Sequence, residues 1–231
     1  MNIISQLFGS SLGKKLIMAV TGALMFAFVV AHLLGNLQIF LGREVLNTYG
    51  EFLQSKPELI WPARIGLLVL VFLHVWSAVR LSAENRAARP VGYAGSPAPV
   101  VASYASRTML MSGLIIGAFI IFHLLHYTVQ MQAINLTGED FRMLHDLKGR
   151  HDVYRMVVLG FSKPLVSGFY VLAMALLCLH LSHGLSAMFQ SIGWKSRTYA
   201  PFIDRFARVA SLLIFLGYAS IPVAVLAGIV K

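Results

Sequence analysis

Six of the eight histidines in this sequence fall inside long stretches that contain no charged residue. If such stretches cross a membrane, an ionisable side chain there is costly, and it indicates function by default. One intramembrane histidine alone is most often a hydrogen-bonded packing residue. Histidines in four separate stretches instead suggest ligands of a transition metal, because neutral imidazole suits iron, copper and zinc. The six are His32, His74, His123, His126, His180 and His183.

Depth sorts four of these histidines into two pairs. His32, His74, His123 and His180 each lie two to four residues past the middle of their own predicted helix. Because successive helices run in opposite directions, His32 and His123 share one level and the other two share a second. At 1.5 Å rise per residue the levels differ by roughly 10 Å. Two stacked pairs, each from two helices, fit two bis-imidazole iron sites better than one metal cluster.

Small residues lie near these histidines, and a porphyrin between helices needs such room. Tight helix packing through small residues would leave the same pattern. The single cysteine, Cys178, excludes a thiolate metal site and covalent C-x-x-C-H attachment of haem. The small residues are Gly35 after His32, Ser77 and Ala78 after His74, Gly184 after His180, and Gly113 and Gly117 in the third stretch.

The composition is that of a membrane protein. Of 231 residues, 58% are hydrophobic and 12% charged, whereas a soluble domain has roughly 45–50% and 25%. Five charge-free stretches are each long enough to form a span of about 20 residues, the second with the help of interfacial flanks. We therefore predict an all-α, single-domain integral membrane bundle of five transmembrane helices, over about residues 15–41, 61–83, 107–131, 163–191 and 206–230.

The net charge of +10 is concentrated in the loops on the side of the amino terminus. The positive-inside rule then places the amino terminus in the cytoplasm and the carboxyl terminus outside, and no nucleic-acid partner is needed to explain the charge. The proline- and glycine-rich segment 82–107 predicts an irregular strap. Apolar residues at helical spacing in 43–54 and 139–152 predict short surface helices, with ordinary polar loops as the alternative. No long repeat is visible.

Taken in order, the stretches around these histidines resemble a known family. The chain is similar to the single-polypeptide, two-haem cytochrome b anchor of succinate:quinone oxidoreductases, the group of succinate dehydrogenases and fumarate reductases. The matching stretches span most of the chain and fall on four of the five predicted helices. They are AHLLGN at 31–36, FLHVWSAVRL at 72–81, IFHLLHYT at 121–128, VVLGFSKP at 157–164 and CLHLSHGLSAMFQSIGW at 178–194.

The resemblance implies a role for each histidine. His32 and His123 correspond to the axial ligands of an outer, distal haem b, and His74 and His180 to those of an inner, proximal haem b. His126 and His183 would lie nearer the aqueous surfaces, where a haem propionate or a quinone carbonyl could accept their N–H, or they are capped interfacial histidines.

The resemblance also implies a function and partners. A flavoprotein subunit with covalent FAD would interconvert succinate and fumarate, as in the tricarboxylic acid cycle, and an iron–sulfur subunit would relay the electrons. This chain would anchor both on the cytoplasmic face of a bacterial inner membrane, and pass electrons through its haems to quinone, menaquinone in two-haem members. It is thus expected to be part of an enzyme without catalytic residues or dicarboxylate chemistry of its own.

The sequence departs from the family pattern at one position and leaves two alternatives open. Cys178 stands where some menaquinol-oxidising members carry a glutamate, so a proton path on such a carboxylate is not expected. The alternatives are an anchor cytochrome b of another quinone-linked complex, of the hydrogenase, formate dehydrogenase or b561 type, and a metal permease using the H-x-x-H pairs. Candidate quinone contacts are Arg80, His183 and Trp194 on the cytoplasmic side and Gln38, His126 and Lys163 outside.

Overall fold

The computed structural model describes residues 2–88 and 107–231. Within those ranges the chain forms nine α-helices. In chain order they are α1 (Ile3–Gly9), α2 (Ser11–Asn36), α3 (Arg43–Gln54), α4 (Pro57–Ala87), α5 (Met109–His123), α6 (Gln132–Asn135), α7 (Val153–Phe161), α8 (Pro164–Ser191) and α9 (Ala200–Leu226).

Five of these helices are long and apolar enough to cross a membrane, which confirms the predicted all-α five-helix bundle. A 3₁₀ turn, Leu37–Leu41, lengthens α2, and a π-helical turn, Leu124–Thr128, lengthens α5. The spans therefore cover Ser11–Leu41, Pro57–Ala87, Met109–Thr128, Pro164–Ser191 and Ala200–Leu226.

Local chemistry sets the helix ends, and these differ from the predicted boundaries. The Ser10 side chain accepts the backbone N–H of Gly13 and caps α2. Pro57 and Pro164 start α4 and α8, where the absent N–H of proline costs no hydrogen bond. Residues 82–87 continue α4, so the prediction of an irregular strap is wrong there; its remainder, 89–106, lies outside the described residues.

The long helices pack as a bundle in which α8 is central. Helix α2 lies between α4 and α8, α5 packs on α8, and α9 runs along α8. Gly217 of α9 lets Leu33 of α2 approach closely, since a Cβ there would lie 2.9 Å from the leucine side chain. Large apolar side chains such as Phe72 and Leu213 remain exposed around the bundle. Lipid would cover such surfaces in a membrane.

Two ion pairs fasten the end of the bundle where the chain begins, which we call the inner end. The buried Lys14 ammonium of α2 donates to Glu84 of α4 at 2.7 Å. Lys195 donates to Asp204 of α9 at 2.7 Å, and Ser186 of α8 donates to the same carboxylate at 2.5 Å. These contacts join α2 to α4 and α8 to α9 at their polar ends.

The opposite, outer end carries a cap built from α3 and from residues 139–161. Helix α3 confirms the predicted surface helix at 43–54. The predicted helix at 139–152 is wrong, because that segment forms a 3₁₀ turn, Phe141–Met143, and an isolated β-bridge between His145 and His151. The Asp146 side chain accepts two backbone N–H groups of its own turn, which offers the backbone an alternative to a helix.

A buried carboxylate starts α7, a helix the sequence analysis did not predict. Asp152 is fully buried and accepts the Arg155 backbone N–H at 3.1 Å. It also accepts from the Arg43 guanidinium and from the Asn47 amide at 3.0 Å. Both donors belong to α3, so this one side chain caps α7 and links the two cap helices.

Further ion pairs reinforce the cap. Arg150 donates to Glu44 at 2.9 Å, and Lys148 donates to the same carboxylate at 2.5 Å. Hydrogen bonds from Arg150 and then Lys148 lower the pKa of Glu44 to about 2. The cap therefore keeps its ion pairs to well below neutral pH.

Candidate metal-binding histidine pairs

The structure brings four of the predicted ligands together as two pairs. The rings of His32 on α2 and His123 on α5 have centroids 5.9 Å apart, and those of His74 on α4 and His180 on α8 are 6.4 Å apart. We call these the outer pair and the inner pair. They are the pairs that the depth argument predicted; the role of the four rings as iron ligands stays a prediction.

The spacing within each pair fits one metal ion between the two rings. Imidazole nitrogens bind metals at about 2.0–2.1 Å, so two rings on opposite sides of an ion have centres roughly 6 Å apart. The ring planes are inclined by 80° in the outer pair and by 63° in the inner pair. The plane of an imidazole that binds through a ring nitrogen contains the line from that nitrogen to the ion. Two rings on opposite sides of an ion can therefore be inclined at any angle about that line.

Hydroxyl groups hold both rings of the inner pair at Nδ1. Thr21 Oγ1 lies 3.1 Å from His74 Nδ1, and Ser112 Oγ lies 3.3 Å from His180 Nδ1. Each hydroxyl donates its single proton to a backbone carbonyl one turn earlier in its own helix. The oxygen must then accept from the imidazole, which places the imidazole proton on Nδ1. Nε2 is left with a free lone pair, the form that binds metal.

A glycine follows each of these hydroxyl residues and gives its ring room. A Cβ at Gly22 would lie 3.3 Å from His74 Cε1, and a Cβ at Gly113 would lie 3.2 Å from His180 Cε1. The hydroxyl–glycine step therefore supplies both a hydrogen-bond acceptor and a close approach for the partner ring.

The same step occurs at the same position in two helices. Thr21 precedes His32 by eleven residues in α2, and Ser112 precedes His123 by eleven residues in the span begun by α5. Helices α2 and α5 thus each contribute one ring to the outer pair. Each also supports one ring of the inner pair, and that ring belongs to the next long helix, α4 or α8. The hairpins α2–α4 and α5–α8 consequently carry matching roles.

The other small residues are used in different ways. Gly35 faces Tyr49 of the cap, whose hydroxyl would lie 2.8 Å from a Cβ, so a side chain fills the room expected there for a porphyrin. No heavy atom of the described residues lies within 4 Å of a Cβ at Gly117, and at Gly184 only a methionine methyl does so, at 3.8 Å. Ser77 is fully buried, and its hydroxyl has no hydrogen-bond partner among the described residues.

A tyrosine supports the outer pair. Tyr170 of α8 places its hydroxyl 3.3 Å from His123 Nδ1 and 3.0 Å from His126 Nδ1. His126 lies in the π-helical turn that follows α5, and such turns are frequent at functional sites. His126 was expected near an aqueous surface; it is instead fully buried beneath the cap. On the far side of the pair, Phe28 stacks on His32 at 5.3 Å.

The remaining candidates lie toward the two ends of the bundle. His183 is half-buried in the inner half of α8. Arg80 and Trp194 are exposed at the inner end, and Gln38 and Lys163 are half-buried at the outer end. Trp194 stacks on Phe189 at 6.3 Å. Sequence reasoning missed Thr21, Ser112 and Tyr170, although the repeated hydroxyl–glycine step was a signal for the first two.

No family model, no curated protein and no solved structure matches this chain. Its class is therefore defined by the fold and the histidines: a multi-pass α-helical membrane protein with two half-buried histidine pairs at two levels of the bundle.

Proposed function

We propose that this chain is a membrane cytochrome b that holds two haems, one in each histidine pair. The observation that carries this proposal is the pairing itself: four rings from four spans, with both centroid distances near the value that one axially bound ion requires. A haem iron held by two imidazoles would gain or lose one electron at a time, so such a site would transfer single electrons.

The chain's own residues would orient and tune those ligands. Three of the four rings have Nδ1 beside a hydroxyl, from Thr21, Ser112 or Tyr170. Hydrogen bonds of this kind orient a ligating histidine, fix its tautomer and raise its basicity. The helices around the rings are apolar, and the polarity of the surroundings also tunes the redox potential of a bound haem. These features support a redox site more than a transport path, where ligands must release their ion.

Within this class we propose the membrane-anchor and electron-transfer subunit of a succinate:quinone oxidoreductase. The support is the resemblance in sequence and the distribution of one candidate ligand on each of the first four spans. The basic inner end suits docking of an iron–sulfur subunit, which would carry the flavoprotein. The chain would then lie in a bacterial cytoplasmic membrane, with its amino terminus inside, and pass electrons to menaquinone.

The reduced-minus-oxidised absorption spectrum of the detergent-purified chain tests the broader proposal. We expect two b-type haems per polypeptide, quantified as the pyridine haemochromogen. Absence of haem, in protein from cells that make haem and load a control cytochrome, would refute the proposal and leave the metal permease to be tested.

Single leucine substitutions test the assignment of ligands. His74→Leu and His180→Leu should each remove the same haem, and His32→Leu should remove the other. The matched control is His183→Leu, three residues past a proposed ligand, which should retain both haems. Loss of a haem in His183→Leu with retention in His180→Leu would shift the assignment by one helical turn.

Reduction by substrate tests the narrower proposal. Membranes that contain the chain should reduce its haems on addition of succinate, and malonate should block that reduction. If succinate leaves the haems oxidised while formate or hydrogen reduces them, the chain belongs to another quinone-linked complex.

A further inference from the structure

A single hydroxyl joins one proposed ligand of the outer pair to a second, fully buried imidazole. The Tyr170 oxygen lies 3.3 Å from His123 Nδ1 and 3.0 Å from His126 Nδ1. It therefore stands within hydrogen-bond distance of two ring nitrogens, and a hydroxyl has only one proton to donate. The hydroxyl can therefore donate to only one of the two nitrogens. All three groups are satisfied when the other nitrogen donates to the oxygen.

The order of donors follows if His123 binds iron, so the inference rests on the proposed function. A ring bound to metal through Nε2 keeps its proton on Nδ1. His123 then donates to the Tyr170 oxygen, and the tyrosine proton goes to His126 Nδ1. We propose that Tyr170 and His126 are positioning residues of the outer site, a relay that fixes the ring of His123 and raises its basicity.

His126 has few polar neighbours apart from Tyr170. It is fully buried, and the rings around it are aromatic: Tyr127 at 3.9 Å, Phe122 at 5.6 Å and Phe141 at 5.8 Å between centroids. Within the described part of the chain its Nε2 has no hydrogen-bond partner. Its bond to Tyr170 is thus the polar contact that fixes its orientation.

The relay distinguishes the outer pair from the inner pair. At the inner pair each hydroxyl donates to a backbone carbonyl, which cannot be altered by substitution of a side chain. At the outer pair the hydroxyl proton goes to a replaceable imidazole. Hydrogen bonds in a chain polarise one another. Loss of His126 therefore makes the Tyr170 oxygen a weaker acceptor for His123, although His126 does not itself contact His123 through a hydrogen bond.

The test is the midpoint potential of the outer haem, identified as the one that His32→Leu removes. Tyr170→Phe deletes the hydroxyl, and His126→Leu deletes the relay's second acceptor. His126→Asn puts an amide oxygen near the position of Nδ1 and should restore an acceptor for the tyrosine proton. Tyr218→Phe is the matched control, since that ring lies 6.2 Å from His32 but its hydroxyl donates to the Val29 carbonyl at 2.8 Å.

We expect Tyr170→Phe to raise the potential, because a less basic ligand stabilises the ferric state less. One hydrogen bond corresponds to about a two- to tenfold change in the ratio of reduced to oxidised haem, tenfold being 59 mV. His126→Leu should shift the ratio in the same direction, and the double variant should shift it by no more than Tyr170→Phe alone. His126→Asn and Tyr218→Phe should stay near the wild-type value.

Two results would overturn the inference while leaving the proposed function intact. The first is an unchanged outer potential in Tyr170→Phe with both haems bound. The second is a full sum of shifts in the double variant, which would show that the two residues act separately. Failure of the proposed function looks different, since the unaltered chain would then bind no haem.

Discussion

Gly113 should be a site where one methyl group decides whether the inner pair can form. An added Cβ would lie 3.2 Å from His180 Cε1, closer than ordinary van der Waals contact, and that ring is already held at Nδ1 by Ser112. Gly113→Ala requires the ring to shift by a few tenths of an ångström. Gly113→Val adds two further carbons and should displace the ring from the ligand axis.

A matched control lies one turn away on the same helix. A Cβ at Gly117 meets no heavy atom of the described residues within 4 Å. Alanine is normally favoured over glycine in a helix interior by about 1 kcal/mol, so Gly117→Ala should be neutral or stabilising. Gly113→Ala gains the same helix propensity, but the added methyl group also presses on the His180 ring, so the gain is offset by the cost of moving that ring.

The assay is haem stoichiometry, together with the rate of haem transfer to excess apomyoglobin. We expect Gly113→Val to lose the inner haem only, Gly113→Ala to release it faster, and Gly117→Ala to behave as the wild type. Gly22→Val should act as Gly113→Val does, through the 3.3 Å approach of His74. Two tightly held haems in Gly113→Val would refute the packing argument.

Three further outcomes can be measured. Thr21→Val should raise the inner haem potential by about 20–60 mV, the equivalent of one hydrogen bond, while Thr21→Ser should leave it unchanged in a redox titration. Because Arg150 lowers the pKa of Glu44 to about 2, their ion pair stabilises the cap above the ordinary glutamate pKa of about 4.3 and is lost as pH falls toward 2. The melting temperature in detergent should fall over that range, and less so in Glu44→Gln. Asp152→Ala should destabilise the cap by about 1–3 kcal/mol in a denaturant melt, because the Arg43 side chain and the first turn of α7 lose their acceptor.

The sequence alone predicted the five spans and the two histidine pairs, since both depend on one-dimensional quantities. Hydropathy and charge place the membrane, and position along a span places a side chain in depth. The contacts of the small residues depend on neighbours that are distant in the chain. Gly35 was expected to leave room for a porphyrin, whereas Tyr49, brought back over it by α3, fills that room.

The outer cap shows a second limit of sequence reasoning. Apolar spacing at 139–152 predicted a helix, but Phe141 points into the bundle while Leu147 is fully exposed, so spacing did not define one buried face. Helix α7 escaped prediction because its start depends on the buried Asp152, whose partners on α3, Arg43 and Asn47, lie more than a hundred residues earlier. Tyr170 was missed for a similar reason: an isolated tyrosine in an apolar helix shows no sign of the two imidazoles it contacts.

The distribution of the pairs over the two hairpins has a consequence for biogenesis. The hairpin α2–α4 contributes one ring to each pair, and α5–α8 contributes the other. A ribosome that has delivered only the first hairpin to the membrane has therefore made half of two sites and the whole of neither. Under the proposed function, haem would be captured only after the second hairpin has entered the bilayer and met the first. A bound cofactor would then be a sign that both hairpins have assembled, and a chain truncated after the first hairpin would bind none.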